Sequence, residues 1–541
     1  MTSQTSFFAP GAPSDPAGAA IPTTAPDPLA PLFGSRGPVL FAALFLAVLA
    51  LTAATPIPAL VDYLNHLTRM HLLAAERAGD PSPYYAAAWG FYPNLAMDLI
   101  VPPLGRWMDI DTAARLFVVA AQALTISGAV AVEWAVKRRF DFAGFVALLF
   151  AYAFPFAWGF VNFQAGLGVA LWGVALWIGL RDKPALARLA IHSLFVAALF
   201  VAHLFALGLY GFTLGAYELW RFGRSRPPFA RLLGVLLLLA APAAVAGAVL
   251  VLSGGSVGQP GTRWDFAFKP LWPVVAANGY NTLLSALIFG LIALTALRLR
   301  SVGGLIGVQA GGWMAAAFFL LYLATPQWLF DTAYVDVRVL VAAALILPGF
   351  FALRFPDPRW RNRIALATLA MFVVNFAYVA TLWTGYRGDY RDMIASFALL
   401  DKGAKILVAR TDGESPFQDQ DIEPMVHAPT LAAHYDRALV STVMALKGKQ
   451  PLIPRPGFER LNVQEANGLT LDDLAHLSAG GGPLIETLRA QRRFTLLSHW
   501  SRDFDYLYVI GAPGENPLPA LIEPLRAERR FTLYRIRKTD R

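Results

Sequence analysis

Apolar runs with hardly a charge recur along this chain at about 38–57, 112–136, 141–158, 163–180, 188–220, 231–252, 281–298, 303–325, 338–353 and 363–384. Most are continuous rather than striped, and a helix that is apolar all round must lie against lipid or deep in a core. A stretch of about 18 or more such residues crosses roughly 30 Å of hydrocarbon. The pattern therefore predicts a mainly α, polytopic membrane bundle. The run at 188–220 needs separate treatment. As one helix it would be about 50 Å long, too long for an upright span; the alternative is a hairpin of two short helices turning near His203.

Charge decides between the two. Basic residues follow several runs: Lys137, Arg138 and Arg139; Arg181, Lys183 and Arg188; Arg221, Arg224, Arg226 and Arg231; Arg298 and Arg300; Arg354, Arg359, Arg361 and Arg363. Cytoplasmic loops collect Lys and Arg, and the hairpin places all five clusters on that one side, whereas a single helix sends the last three outside. The hairpin gives about eleven spans, with the N-terminus in the cytoplasm and the C-terminus outside. Residues 1–36, rich in Pro, Ala, Ser and Thr, read as a disordered cytoplasmic tail. The first run starts too late, and without a basic n-region, for a cleaved signal peptide, so it is expected to stay as the first span.

The membrane domain is expected over 37–384, with a long first outer loop at 58–111. From 385 to 541 the composition is that of a soluble domain. Short β-rich runs at 405–409, 506–510 and 531–534 alternate with helical stretches, which predicts an extracytoplasmic α/β or α+β domain. Within it, 484–496 matches 521–533 at 11 of 13 positions, as a helix running into a strand in both copies would.

Composition then removes whole classes of function. Hydrophobic residues make up 56% of the 541 and charged residues 15%, against about 25% charged in soluble domains. The net charge of +9 reads as topology rather than as a nucleic-acid surface. With no cysteine, a thiolate nucleophile, a cysteine metal site and a disulfide are all excluded. Neither a G-x-x-x-x-G-K-[ST] loop nor a G-x-G-x-x-G turn after a strand is present, so nothing points to a nucleotide.

The candidate chemistry gathers at the expected outer face. Beyond the first span runs Asp62-Tyr63-Leu64-Asn65-His66-Leu67-Thr68-Arg69; as a helix it puts Asp62, Asn65, His66 and Arg69 on one face. That face is either the wet side of an interfacial helix or a site holding a base, an amide, an imidazole and a phosphate-binding guanidinium. In the same loop Asn94 and Asp98 stand at i, i+4 among apolar residues, where a carboxylate needs a partner; Arg106 and Arg115 are the nearest cations in sequence. Asn162 occupies an expected outer turn, His203 the hairpin tip, and Asp331, Asp336 and Arg338 the entry to the tenth span. His427, His434, Asp436 and His499 are scattered through the C-terminal domain and form no set by spacing.

The Asp just past the first span, the long loop around it, the many spans and the outer soluble domain together resemble the GT-C superfamily of glycosyltransferases. The 62–69 and 94–103 segments and the stretch from His427 to Leu452 also resemble a group of uncharacterised bacterial GT-C-like membrane proteins. The resemblance implies a bacterial cytoplasmic-membrane enzyme that takes a sugar from a polyprenyl-phosphate donor and gives it to an envelope glycan, lipid or protein. It implies Asp62 as general base with His66 beside it, and Asn65, Arg69, Asn94, Asp98, Asn162, His203 and Arg338 as substrate-binding residues. The first-loop acid of that superfamily is often followed by a second acid, which Asp62 lacks; a divalent metal ion held by Asp62, His66 and Asp98 stays open as the one cofactor. A transporter or flippase would carry ionisable residues near the midplane in repeated halves, and the spans show no such repeat. A non-catalytic envelope assembly protein would use the outer domain as a binding module.

Overall fold

A computed structural model describes residues 31–91, 93–252, 261–329, 332–411, 422–462, 469–480, 497 and 499–538. Most of the expected tail, Asp331 and the 484–496 repeat copy lie outside the described residues. The chain forms α1 (Gly37–Ala54), α2 (Tyr63–Arg77), α3 (Ala96–Leu104), α4 (Ile110–Lys137), α5 (Ala143–Leu149), α6 (Phe154–Ala157), α7 (Val161–Gly179), α8 (Ala185–Ala202), α9 (Leu204–Ser225) and α10 (Phe229–Leu252). There follow α11 (Trp272–Val275), α12 (Thr282–Ser301), α13 (Gly311–Ala324), α14 (Val335–Ile346) and α15 (Pro358–Ser396).

Among the described residues, seven helices are long and apolar enough to span a membrane: α1, α4, α7, α8, α10, α12 and α15. Large apolar side chains on α10 and α12, such as Leu237, Val245, Leu283 and Leu294, stand exposed, as lipid-facing positions require. The remaining runs are shorter than expected, for identifiable reasons. The run at 141–158 breaks into α5 and α6 because Pro155 occupies the first turn of α6 and brings no N–H. The break is satisfied from another segment: Phe154 N donates to Ala276 O at 3.0 Å and Gly279 N to Tyr152 O at 3.0 Å. Open backbone at membrane depth is tolerated where protein surrounds it. The run at 338–353 gives only the 12-residue α14; Pro348 then turns it into a 3₁₀ segment and a short strand, Phe351–Leu353, paired with Leu305–Gly307.

The hairpin forms as expected. His203, in an extended conformation, is both the last cap of α8 and the first of α9. His192 Nδ1 lies 3.0 Å from Tyr210 Oη and Arg188 Nη2 3.3 Å from Glu218 Oε1, so the two helices run back along one another. The basic clusters also gather at one end. Gln309 joins two of the connections by accepting from Tyr217 Oη at 3.0 Å and donating to Val136 O at 2.9 Å. Arg298 stacks on Trp360, 4.7 Å from the ring centre, and Arg354 N donates to Gly304 O at 2.7 Å.

The C-terminal domain sits at the opposite end. Five of its described strands are β1 (Lys405–Arg410), β2 (Leu439–Val440), β3 (Tyr506–Ile510), β4 (Ile522–Glu528) and β5 (Phe531–Ile536). They make one mixed sheet in the order β4-β5-β3-β1-β2, in which β1 runs parallel to β2 and β3, and β5 antiparallel to β3 and β4. The stretch 521–529 is thus an edge strand, not the helix its repeat suggested. It pairs antiparallel with β5 from Ile522 opposite Ile536 to Glu528 opposite Phe531, and Pro524, beside a register shift, takes a place that an edge strand allows. Helix α15 runs on through residue 384 to Ser396 and leads by a short 3₁₀ turn towards β1.

Candidate active site

Helix α2 joins the first loop to the C-terminal domain through Asn65 and Thr68. Every residue from Tyr63 to Leu73 is buried, so the polar face foreseen for 62–69 lies inside the protein, against the C-terminal domain, rather than in water. Tyr85–Ala87 of the same loop pairs with Leu452–Pro454, and Tyr85 Oη donates to Val440 O at 3.0 Å. The first loop and the C-terminal domain are therefore one packed unit.

Asp62 is the N-cap residue of α2, yet its side chain makes no capping bond, although capping is the usual role of an aspartate there. Its backbone is fixed instead by the turn after α6: Val61 N donates to Ala157 O at 3.1 Å and Asp62 N to Trp158 O at 3.0 Å. Gly159 makes this approach feasible. Its φ is +82°, and a Cβ there would stand 2.8 Å from Asp62 N. The carboxylate keeps 16% of its surface open.

Arg338, 3% exposed, is a buried cation of the bundle that feels the charge of Asp62. Its guanidinium lies over Phe160 at 4.2 Å and Phe163 at 5.2 Å, donates from Nη2 to Ala333 O at 3.1 Å, and approaches His203 Nε2 to 3.3 Å from Nη1. His203 Nδ1 accepts from Phe205 N at 3.2 Å, and a neutral imidazole accepts at one nitrogen only. Arg338 therefore competes with the α9 cap for the ring. Its Nε is buried without a partner, as are Trp158 Nε1 and His66 Nδ1. A buried donor left unpaired costs about 1–3 kcal/mol, a cost that an anion seated at Arg338 Nε would remove.

His66 lies one turn beyond Asp62 and is buried. Burial, then the charge of Arg69 and the neighbouring His427, hold its imidazole well below its usual pKa, so it stands neutral. Asn65 is turned to the C-terminal domain: Oδ1 accepts from Met444 N at 2.7 Å, while Nδ2 donates to Thr442 O at 2.8 Å and lies 3.2 Å from His427 Nδ1.

Other expected site residues are brought together differently. Asp98 pairs not with Arg106 or Arg115 but with Arg69: Nε to Oδ1 at 2.5 Å and Nη2 to Oδ2 at 3.1 Å, both residues 1% exposed. The third Arg69 nitrogen donates to Gln450 Oε1 at 3.0 Å. Both partners are thereby engaged, and among the described residues no three His, Asp or Glu side chains converge as metal ligands; the set Asp62, His66 and Asp98 is not assembled. Asn162 does more than turn the chain. Its Nδ2 donates to Asn94 O at 2.8 Å and its Oδ1 accepts from Met97 N at 2.9 Å, satisfying a free N–H at the start of α3. Asn94 itself has φ +78°, a conformation Asn tolerates. Asp336 pairs with Lys269 at 3.4 Å, which leaves Arg338 without a carboxylate partner within 4 Å among the described residues.

His427 is the residue that spacing did not reveal: Nε2 stands 3.5 Å from Asp62 Oδ1. It is 362 positions from Asn65 in the chain, so no local pattern links them; the one signal was the resemblance of the 427–452 stretch.

No protein-family model and no curated protein matches the chain by sequence. Among solved structures the chain resembles ArnT from Cupriavidus metallidurans bound to undecaprenyl phosphate, at 15% identity and a TM-score of 0.50. It resembles the same protein in the apo state at 14% identity and a TM-score of 0.50. Each match covers 93% of this chain and 98% of the other. The likeness establishes an ArnT-like fold along nearly the whole chain.

Proposed function

We propose that this protein is a GT-C glycosyltransferase that moves a sugar from a polyprenyl-phosphate donor to an envelope acceptor on the outer side of the bacterial cytoplasmic membrane. One observation carries the reading. The Asp62 side chain, which makes no capping bond and stays partly open, interacts through its charge with the buried Arg338 guanidinium, which has no carboxylate within 4 Å among the described residues and one unpartnered nitrogen. The solved relative binds undecaprenyl phosphate, which supports a lipid phosphate as partner here.

The chemistry then distributes simply. The acceptor hydroxyl attacks the anomeric carbon, its proton passes to Asp62, and the bond from that carbon to the lipid phosphate oxygen breaks with inversion. The electron pair leaves on the phosphate, whose added charge Arg338 stabilises where water is scarce. No further reactant is required. The reading takes the basic end of the bundle as cytoplasmic, in line with the positive-inside tendency, so that the Asp62 end faces out; the seven long apolar helices among the described residues support a multi-span bundle.

The test compares, by mass spectrometry, envelope glycans and polyprenyl-phosphate sugars from a deletion strain carrying either the intact protein or Asp62→Asn. The expected result is a sugar-sized mass lost from an acceptor on deletion and restored by the intact protein alone. Equal restoration by Asp62→Asn removes Asp62 as base, and an unchanged glycan profile on deletion overturns the transferase reading.

A further inference from the structure

The function above uses the bundle and the first loop, and leaves the C-terminal domain without a part in the chemistry. We propose that His427 of that domain is a positioning residue for Asp62, so that the base is aimed only while the domain is seated on α2. The inference rests on the transferase reading for its catalytic consequence but on geometry for the contact itself.

The hydrogen bonds determine which way the imidazole works. Met444 N–H donates to Asn65 Oδ1, and Thr442 O accepts from Asn65 Nδ2, so the amide cannot be turned round without breaking both. Its Nδ2 therefore meets His427 as a donor, at 3.2 Å from Nδ1. Nδ1 accepts, and the ring proton stands on Nε2, which faces Asp62 Oδ1 at 3.5 Å. That is the outer limit of hydrogen-bond reach, a length common before substrate binds.

The ring is held as firmly as a first-loop residue. It is 2% exposed and stands at the start of the short 3₁₀ turn Ala428–Leu431. Thr430 Oγ1 donates to His427 O at 2.6 Å and lies 3.0 Å from Thr68 Oγ1 of α2. Two tethers from α2, at Asn65 and Thr68, thus carry the imidazole back to the residue that caps the same helix. Asp62 has no N–H of its own helix to bind, so an external donor is what can fix the direction of its oxygens.

Two substitutions separate aiming from simple support. Gln reproduces a donor near the Nε2 position, and Asn reproduces only the Nδ1 end. For the full-length protein, His427→Asn is expected to lower kcat about 10- to 100-fold with KM little changed, measured with the polyprenyl-phosphate sugar identified by the mass comparison; His427→Gln restores most of the loss. Equal losses in both variants, or none in either, overturn the inference while the transferase reading stands.

An activity-independent measurement decides the contact even if the protein transfers nothing. In protein labelled with ¹⁵N in its eight histidine rings, the His427 resonances, assigned by their loss in His427→Gln, should report a proton on Nε2. They should shift in Asp62→Asn while those of His192 do not. A proton on Nδ1, or no response to Asp62→Asn, overturns the proposal.

Discussion

Replacing Arg69 with Met tests whether this guanidinium is a structural counter-ion or a substrate clamp. It makes two bonds to Asp98 and one to Gln450, with both ionic partners almost fully buried. Removing the cation leaves a carboxylate inside the protein with no opposite charge, which costs about 3–5 kcal/mol when one partner of a buried pair is lost. Replacing both partners with apolar residues of similar size is by contrast close to neutral. Arg69→Met is therefore expected to lower the thermal unfolding midpoint in detergent sharply and to expose the first loop to protease. Arg69→Met with Asp98→Leu recovers most of that loss. Against a total stability of about 5–15 kcal/mol, the single change is large enough to read without ambiguity. The reasoning is refuted if the double variant is destabilised by the sum of the two singles, because the pair is then not coupled. A double variant that unfolds normally but transfers no sugar would instead return Arg69 to the substrate.

Three further outcomes follow from the same geometry. Arg338→Met removes a buried cation that has no carboxylate partner among the described residues, so it should keep or raise the unfolding midpoint while lowering transfer about 100-fold or more; a fall in both would make Arg338 a scaffold residue. Gly159→Ala forces a side chain into a left-handed position 2.8 Å from Asp62 N, at a cost of about 1–3 kcal/mol, and should reduce transfer beyond what its stability loss explains. His434, stacked on His71 at 3.8 Å, has its pKa lowered from 6.5 to about 4 by burial first and then by His71, with Asp111 acting the other way. The unfolded chain takes up that proton first, so stability should fall as pH drops from about 6.5 to about 4. In denaturant titrations across that range, His434→Phe should flatten the loss, and an unchanged slope would refute the assignment.

Sequence patterning made the elements legible where one physical cause dominated. Continuous apolar runs gave the long helices, basic clusters gave the hairpin at His203, and alternating β-branched and aromatic residues gave β1, β3 and β5. It failed where satisfaction came from far along the chain. Nothing near Pro155 shows that Ala276 and Gly279 will supply the backbone bonds of the broken run. Asp98 had two arginines closer in the chain than the membrane-loop partner it takes. The repeat at 521–533 looked helical because Leu, Arg, Ala and Glu favour helix, but sheet pairing with β5 overrides so weak a preference.

The failures and the site occupy the same places, and this has a physical reason. A polar side chain in a bilayer is affordable only where it is enclosed by protein or reaches the edge, and both conditions are met where helices stop. Asp62 lies between α1 and α2, Trp158 and Gly159 between α6 and α7, His203 between α8 and α9, and Arg338 in the first turn of the short α14. Each stop shortens or breaks an apolar run, so the segments that depart from an ideal span are the ones able to present charge to one another. The bundle can then supply a buried cation and the first loop a carboxylate, but neither encloses that carboxylate. The C-terminal domain closes the arrangement through α2 with His427. A variant in which the domain folds but cannot seat on α2, such as Thr430→Trp against Thr68, is therefore expected to lose transfer while the bundle keeps its unfolding midpoint. If transfer survives with the domain displaced, measured by protease access to the 81–88 loop, the base is positioned by the bundle alone.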